Sequence, residues 1–155
     1  RRLSECGVRS VEVQLGGWDT HQDNFQRVQS NTAILDQALS ALLGDLHSSG
    51  MLEETLVVLT TEFGRTPKIN QNAGRDHYPK AFSALLAGGG VKGGYIHGKT
   101  DNKGTEPVDD PVTIADFNAT IAYGCGLPLD QRLFSKNARP FTVANHGDPV
   151  MQLFS

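Results

Sequence analysis

The sequence predicts an α/β fold, a mostly parallel sheet with flanking helices. Three stretches carry that reading: an alternating run at residues 9–15, an apolar-striped segment from Phe25 to His47, and an unbroken β-branched run at residues 55–61. Strand, helix and strand in this order make a right-handed crossover, which joins parallel strands and leaves both strand ends on one edge of the sheet.

Val11, Val13 and Leu15 alternate with polar residues, and Gly16-Gly17 stops the run before Trp18-Asp19-Thr20-His21, so a strand feeding a loop is expected here. Ile34, Leu35, Ala38, Leu39, Leu42, Leu43 and Leu46 recur at helical spacing, Gly44 is tolerable within that stripe, and Gly50 sits where the helix should end. TLVVLTT lacks alternation, as a strand covered on both faces does, and is placed at the sheet centre. FSALLA, residues 82–87, reads as a third buried strand broken by Gly88-Gly89-Gly90. Thr113 and Asp116 have the spacing of a capping box, followed by a helix through Ile114, Phe117, Ile121 and Ala122 that Gly124 or Gly126 ends. In the tail from Arg139 to Ser155, an apolar run at residues 141–143, a turn at Gly147-Asp148-Pro149 and a docking group of Met151, Leu153 and Phe154 are expected.

The chain has 155 residues, 38% of them hydrophobic, which suits a single domain spanning 1–155. Fourteen Lys and Arg against 17 Asp and Glu, spread along the chain, offer no basic face, so nucleic acid is not expected as a partner. No apolar run approaches the roughly 18 residues that span a bilayer. Cys6 and Cys125 lack metal or redox spacing and read as buried small apolar side chains.

Chemistry concentrates at the expected sheet edge. Asp19 and His21 are two apart just beyond a strand, so extended backbone turns both side chains the same way and lets them share one metal ion. Glu62 ends the second apolar run, and Asp76-His77 add an acid and an imidazole on the loop before the third. Oxygen and nitrogen ligands without thiolate suit zinc, manganese or a related hydrolytic metal. Arg65, Lys68 and Arg75 lie on the same loops and either neutralise the acids or grip an anionic substrate. His47 reads as a helix C-terminal residue, and His97 and His146 as turn residues.

The motifs GGWDTH (16 to 21), TEFGRTPKIN (61 to 70), GRDHYP (74 to 79) and LLAGGGVKGG (85 to 94), in that order, resemble the domain-of-unknown-function 1501 family. That family is a bacterial branch of the alkaline phosphatase and sulfatase superfamily. The resemblance runs along nearly the whole chain and implies the C-terminal portion of an alkaline-phosphatase-like fold. It also implies a first metal ion held by Asp19, His21 and His77, with Asp76 as a supporting partner. Glu62 would serve a second ion, although Phe63 stands where the superfamily has a histidine. The implied metal is zinc first, with manganese and calcium as alternatives. The implied activity is hydrolysis of a small anionic phosphate or sulfate ester, with Arg65 or Arg75 steadying the anion. The nucleophile is expected in an N-terminal half outside these residues, and the protein is expected to be exported. A non-catalytic protein that keeps the fold for binding or envelope assembly is the alternative implied by Phe63.

Overall fold

The structure is a computed structural model that describes residues 1–154; Ser155, the last residue of the expected docking tail, lies outside the described residues. In chain order the elements are α1 (Arg2–Glu5), α2 (Asn24–Ser48), β1 (Val57–Leu59), β2 (Gly64–Arg65), β3 (His77–Tyr78), β4 (Leu85–Ala87), β5 (Lys99–Thr100), β6 (Pro107–Asp109), α3 (Ile114–Gly124), β7 (Leu133–Phe134) and β8 (Pro140–Phe141). Short 3-10 turns fall at Met51–Glu54 and Met151–Leu153.

The mostly parallel sheet is not what the chain forms. Among the described residues the strands make four separate two-stranded antiparallel pairs, β1 with β4, β2 with β3, β5 with β6 and β7 with β8. Residues 9–15 form no strand, so the crossover expected from strand, helix and strand is absent. The reason lies in what a strand pattern reports. It marks a segment that fits a pleated, partly covered surface and leaves the partner and its direction open. Residues 62–82 turn back on themselves as the β2–β3 hairpin instead of crossing over, and β4 then pairs with β1 in register Val57 to Ala87, Val58 to Leu86 and Leu59 to Leu85. All three β1 residues are half-buried, which also sets aside a strand covered on both faces.

Local stop and start signals act as their chemistry requires. The α2 helix ends at Ser48, and Gly50 takes a φ of 73°, the left-handed turn that a helix terminus asks of glycine. The N-terminus of α3 carries a reciprocal capping box: the Thr113 side chain accepts from the Asp116 main-chain N–H, and the Asp116 carboxylate accepts from the main-chain N–H of Thr113. Its C-cap is Cys125, with Gly126 at a φ of 68° just beyond. Cys6 and Cys125 are exposed free thiols, against the expectation of burial. Each lies one residue past a helix, where the chain turns away into solvent.

The chain divides into two compact units. One comprises Arg1–Leu52 with Glu62–Phe82, and the other Glu53–Thr61 with the chain from Ser83 onward. In the second unit Ala119, Ala122 and Ala144 are buried, and Thr120 bridges from Asp116 O to the Val150 N–H through its hydroxyl. In the first, α2 buries Leu46 and half-buries Leu35, Leu39, Leu42 and Leu43. The α2 helix has no side-chain cap, because Asp23 at the N-cap is itself left-handed, with a φ of 50°. Its first donors go elsewhere: Asp23 N–H to Asn72 O at 3.2 Å and Asn24 N–H to Ala73 O at 3.0 Å. The loop that ends α2's orphaned donors is the same loop that builds the site.

Candidate metal centre

Two segments of the first unit meet to make the site, Asp19–Asn24 and Thr66–His77. An isolated antiparallel bridge joins Gln22 to Ala73, and the Arg75 N–H donates to Thr20 O at 2.9 Å. The approach is close enough that a Cβ on Gly74 would overlap the main chain of His21 and Gln22, so only glycine fits there. The β2–β3 register sets Arg65 opposite His77 and brings both towards the Asp19 carboxylate.

Three ligand atoms converge. Asp19 Oδ1 lies 3.1 Å from His21 Nε2 and 3.0 Å from His77 Nε2, and the two Nε2 atoms are 3.2 Å apart. Tetrahedral zinc with bonds of about 2.0–2.1 Å to nitrogen and oxygen spaces its ligands by about 3.3 Å, so this triangle is close to one face of such a site. The side chains are 64%, 46% and 49% exposed for Asp19, His21 and His77, which leaves the outer side of the triangle open.

The surroundings prepare these atoms for a cation. His21 Nδ1 is 2.8 Å from Asp76 Oδ1. Hydrogen bonds from His21 first and Asn70 second hold the Asp76 carboxyl below its usual range, so it is an ionised acceptor. An ionised Asp76 favours the tautomer with the proton on His21 Nδ1, which turns the Nε2 lone pair to the triangle, the arrangement common to metal-ligating histidines. Asp19 is held down at about 2, chiefly by the hydrogen bond that His77 Nε2–H donates and then by that from Arg65, so this His77 nitrogen must give up its proton before it can ligate an ion. Arg65 Nη1 donates to Asp19 Oδ1 at 2.7 Å, and the Arg65 side chain is only 16% exposed, with its guanidinium 5.7 Å from the Phe63 ring centre. Phe63 also packs against His77, centroid to centroid 4.5 Å at 50°, fixing one side of that imidazole.

The residues singled out from sequence divide as follows. Asp19, His21 and His77 form the one group of three acid or imidazole side chains among the described residues whose ligand atoms can hold an ion. Asp76 and Arg65 contact members of that group directly. The Arg75 guanidinium instead donates to two main-chain carbonyls, Thr66 O at 2.5 Å and Arg65 O at 3.0 Å, and so fastens the hairpin. Glu62 is exposed and is not a member of the convergent group. Sequence reasoning missed Asn70, whose side chain links Asp76 to the main chain of His21. Its signal was its place as the last residue of the motif TEFGRTPKIN (61 to 70).

A family model described as "Protein of unknown function (DUF1501)" matches residues 1–154. The chain belongs to the DUF1501 family. No curated protein and no solved structure matches it. In this DUF1501 chain the family match covers both segments of the centre, and no helix among the described residues is long and apolar enough to cross a membrane.

Proposed function

We propose that this chain is the metal-binding portion of a metal-dependent hydrolase of phosphate or sulfate esters, with the alkaline-phosphatase-like superfamily as its wider kin. The single observation that carries the reading is the triangle of Asp19 Oδ1, His21 Nε2 and His77 Nε2, with edges of 3.0–3.2 Å and an open outer side. Two neutral imidazoles and one carboxylate suit zinc best, and manganese or calcium less well because those ions prefer more oxygen ligands. Such an ion, when bound, supplies Lewis acidity toward an ester oxygen and lowers the pKa of bound water or hydroxyl.

The chain's own residues do the rest. Asp76 holds the His21 proton on Nδ1, so that Nε2 is available. Arg65 balances the Asp19 charge and keeps one oxygen of that carboxylate fixed. With one ion, Arg65 and two acids in place, the local charge is positive, which favours a small anionic ester on the open side. The export implied by the sequence resemblance belongs to the same reading.

The test is elemental analysis after exposure to zinc, manganese and calcium, with Asp19→Ala and His77→Ala in parallel. One equivalent of zinc in the wild type is expected, falling to the background in both variants. A wild-type protein that retains no metal would sink the proposal. Generic phosphate and sulfate esters, offered to a chain extended to carry a nucleophile, test the reaction itself. Metal uptake without turnover of any ester would leave a binding role for the centre in its place.

A further inference from the structure

Asn70 spends its whole hydrogen-bonding capacity at the centre. Its Nδ2 donates to His21 O at 3.0 Å and to Asp76 Oδ1 at 3.1 Å. Its Oδ1 accepts the N–H groups of Asn72 and Gly74, each at 2.9 Å. Its main-chain N–H closes the same loop on Gly74 O at 2.9 Å. One half of the amide therefore shapes the 70–74 turn, and the other half faces the two groups that orient His21. From this geometry we infer that Asn70 is a positioning residue for the metal centre, setting the His21 ring and its Nδ1–H tautomer through Asp76.

The physical argument rests on Asp76 Oδ1, which takes hydrogen bonds from both Asn70 and His21. A carboxylate oxygen anchored by a fixed amide donor presents a second lone pair in one direction, and His21 Nδ1 occupies that direction at 2.8 Å. The same amide ties down the His21 carbonyl, so the ring is held at the main chain and at its own nitrogen. Without the donor, Asp76 can rotate away from His21, and the imidazole is free to place its proton on Nε2, where it blocks the ligand position. An asparagine is required because both a donor and an acceptor are used, and the two ends are distinguished by their partners: main-chain N–H groups on one side, carbonyl and carboxylate on the other.

The inference rests on the metal reading for its purpose but not for its test. Asn70→Asp retains an acceptor for the Asn72 and Gly74 N–H groups, loses the donor, and sets a second carboxylate beside Asp76. In the metal-free protein at about pH 8, long-range proton–nitrogen NMR reads the His21 tautomer directly. The wild type should show Nδ1–H, and Asn70→Asp a mixture or Nε2–H. The double variant N70D/D76N reverses the polarity of the bond between the two positions, and because the same atom of residue 76 faces His21, an NH2 then meets Nδ1. It should drive His21 to Nε2–H with Nδ1 accepting, which a merely structural role for Asn70 would not bring about.

Competition with a chromogenic chelator should then show zinc affinity about tenfold weaker in N70D than in the wild type, the low end for partners beyond the ligands themselves. A His21 tautomer unchanged in N70D, or still Nδ1–H in the double variant, overturns the inference. Should N70D fail to fold, the double variant alone decides: Nε2–H supports the role and Nδ1–H overturns it. A wild type that takes up no zinc defeats the metal reading, while the tautomer measurements still judge Asn70.

Discussion

Within the first unit, the stretches Arg9–Leu15 and Asn70–His77 make opposite use of their sequences. The former has the better strand pattern: Val11, Val13 and Leu15 alternate with Glu12 and Gln14, whose side chains meet at 2.9 Å on the other side of an extended chain. Yet among the described residues none of its main-chain groups makes a main-chain hydrogen bond, and Val13 is 87% exposed. Asn70–His77 has almost no apolar residues and no periodicity, and its ladder is limited to His77 and the isolated bridge at Ala73. It is nevertheless tied by main-chain bonds to Thr20, Asp23, Asn24 and Thr66. Pattern without a partner gives exposure, and partners without a pattern give order. A strand's stability belongs to its cross-strand contacts more than to its residues.

That contrast can be broken most forcefully at Gly74. Gly74→Ala forces a Cβ into the main chain of His21, and is expected to destabilise the unit by about 3 kcal/mol, the upper range for overpacking, in urea denaturation. If the proposed metal reading holds, it should also abolish zinc uptake, since the segments that carry Asp19 and His21 on one side and His77 on the other can no longer meet. A variant as stable as the wild type would mean that the loops are not held together as described. Thr66→Val is the next step down. It removes the hydroxyl that accepts from Asp76 N–H at 3.1 Å and donates to Lys68 O at 2.8 Å. A loss of about 1 kcal/mol is expected from the same measurement.

Acid should distinguish the two stretches without mutation. Asp19 and Asp76 are both held below the ordinary carboxylate range in the folded chain by their hydrogen bonds, Asp19 at about 2. For a lowered carboxylate the stabilising contribution is complete above the unfolded pKa and is lost as pH falls through the folded one. The amides of residues 70–77 should therefore keep their chemical shifts and exchange protection until pH drops below about 4, then lose them toward about 2. Amides of residues 9–15 should show little protection at any pH. Protection in that stretch equal to the loop's would erase the contrast. The smallest effect is expected from Val13→Thr, within about 0.5 kcal/mol of the wild type, as for a surface substitution that disturbs no contact. A loss above 2 kcal/mol would show that Val13 is packed.

Much of the site was legible before any coordinates. Asp19 and His21 stand out by their spacing behind a glycine stop, Asp76-His77 as an acid and an imidazole on a distant loop, and the family resemblance then selected His77 over Asp76 as the expected ligand. Arg65 and Asp76 could be named as neighbours of the acids, but their division of labour could not. That Arg65 neutralises Asp19 while Arg75 binds main-chain carbonyls depends on which strand lies opposite which, and the β2–β3 register decides it. Glu62 drew attention as an acid at a strand end, and the hairpin that follows it leaves it exposed and outside the convergent group.

The sequence alone determined the features whose partners lie within a turn or two. The apolar stripe and terminal Gly50 of α2, the Thr113–Asp116 box of α3 and the glycine break after β4 all depend on contacts three to five residues away. Tertiary structure alone decided strand partners and direction, the meeting of His21 with Gly74, and the roles of Asn70 and Arg75. Those contacts join residues tens of positions apart, where spacing no longer constrains geometry and competing pairings have the same local pattern. The crossover expected for residues 9–61 failed for that reason, while the ligand triangle formed through loops that no periodicity describes.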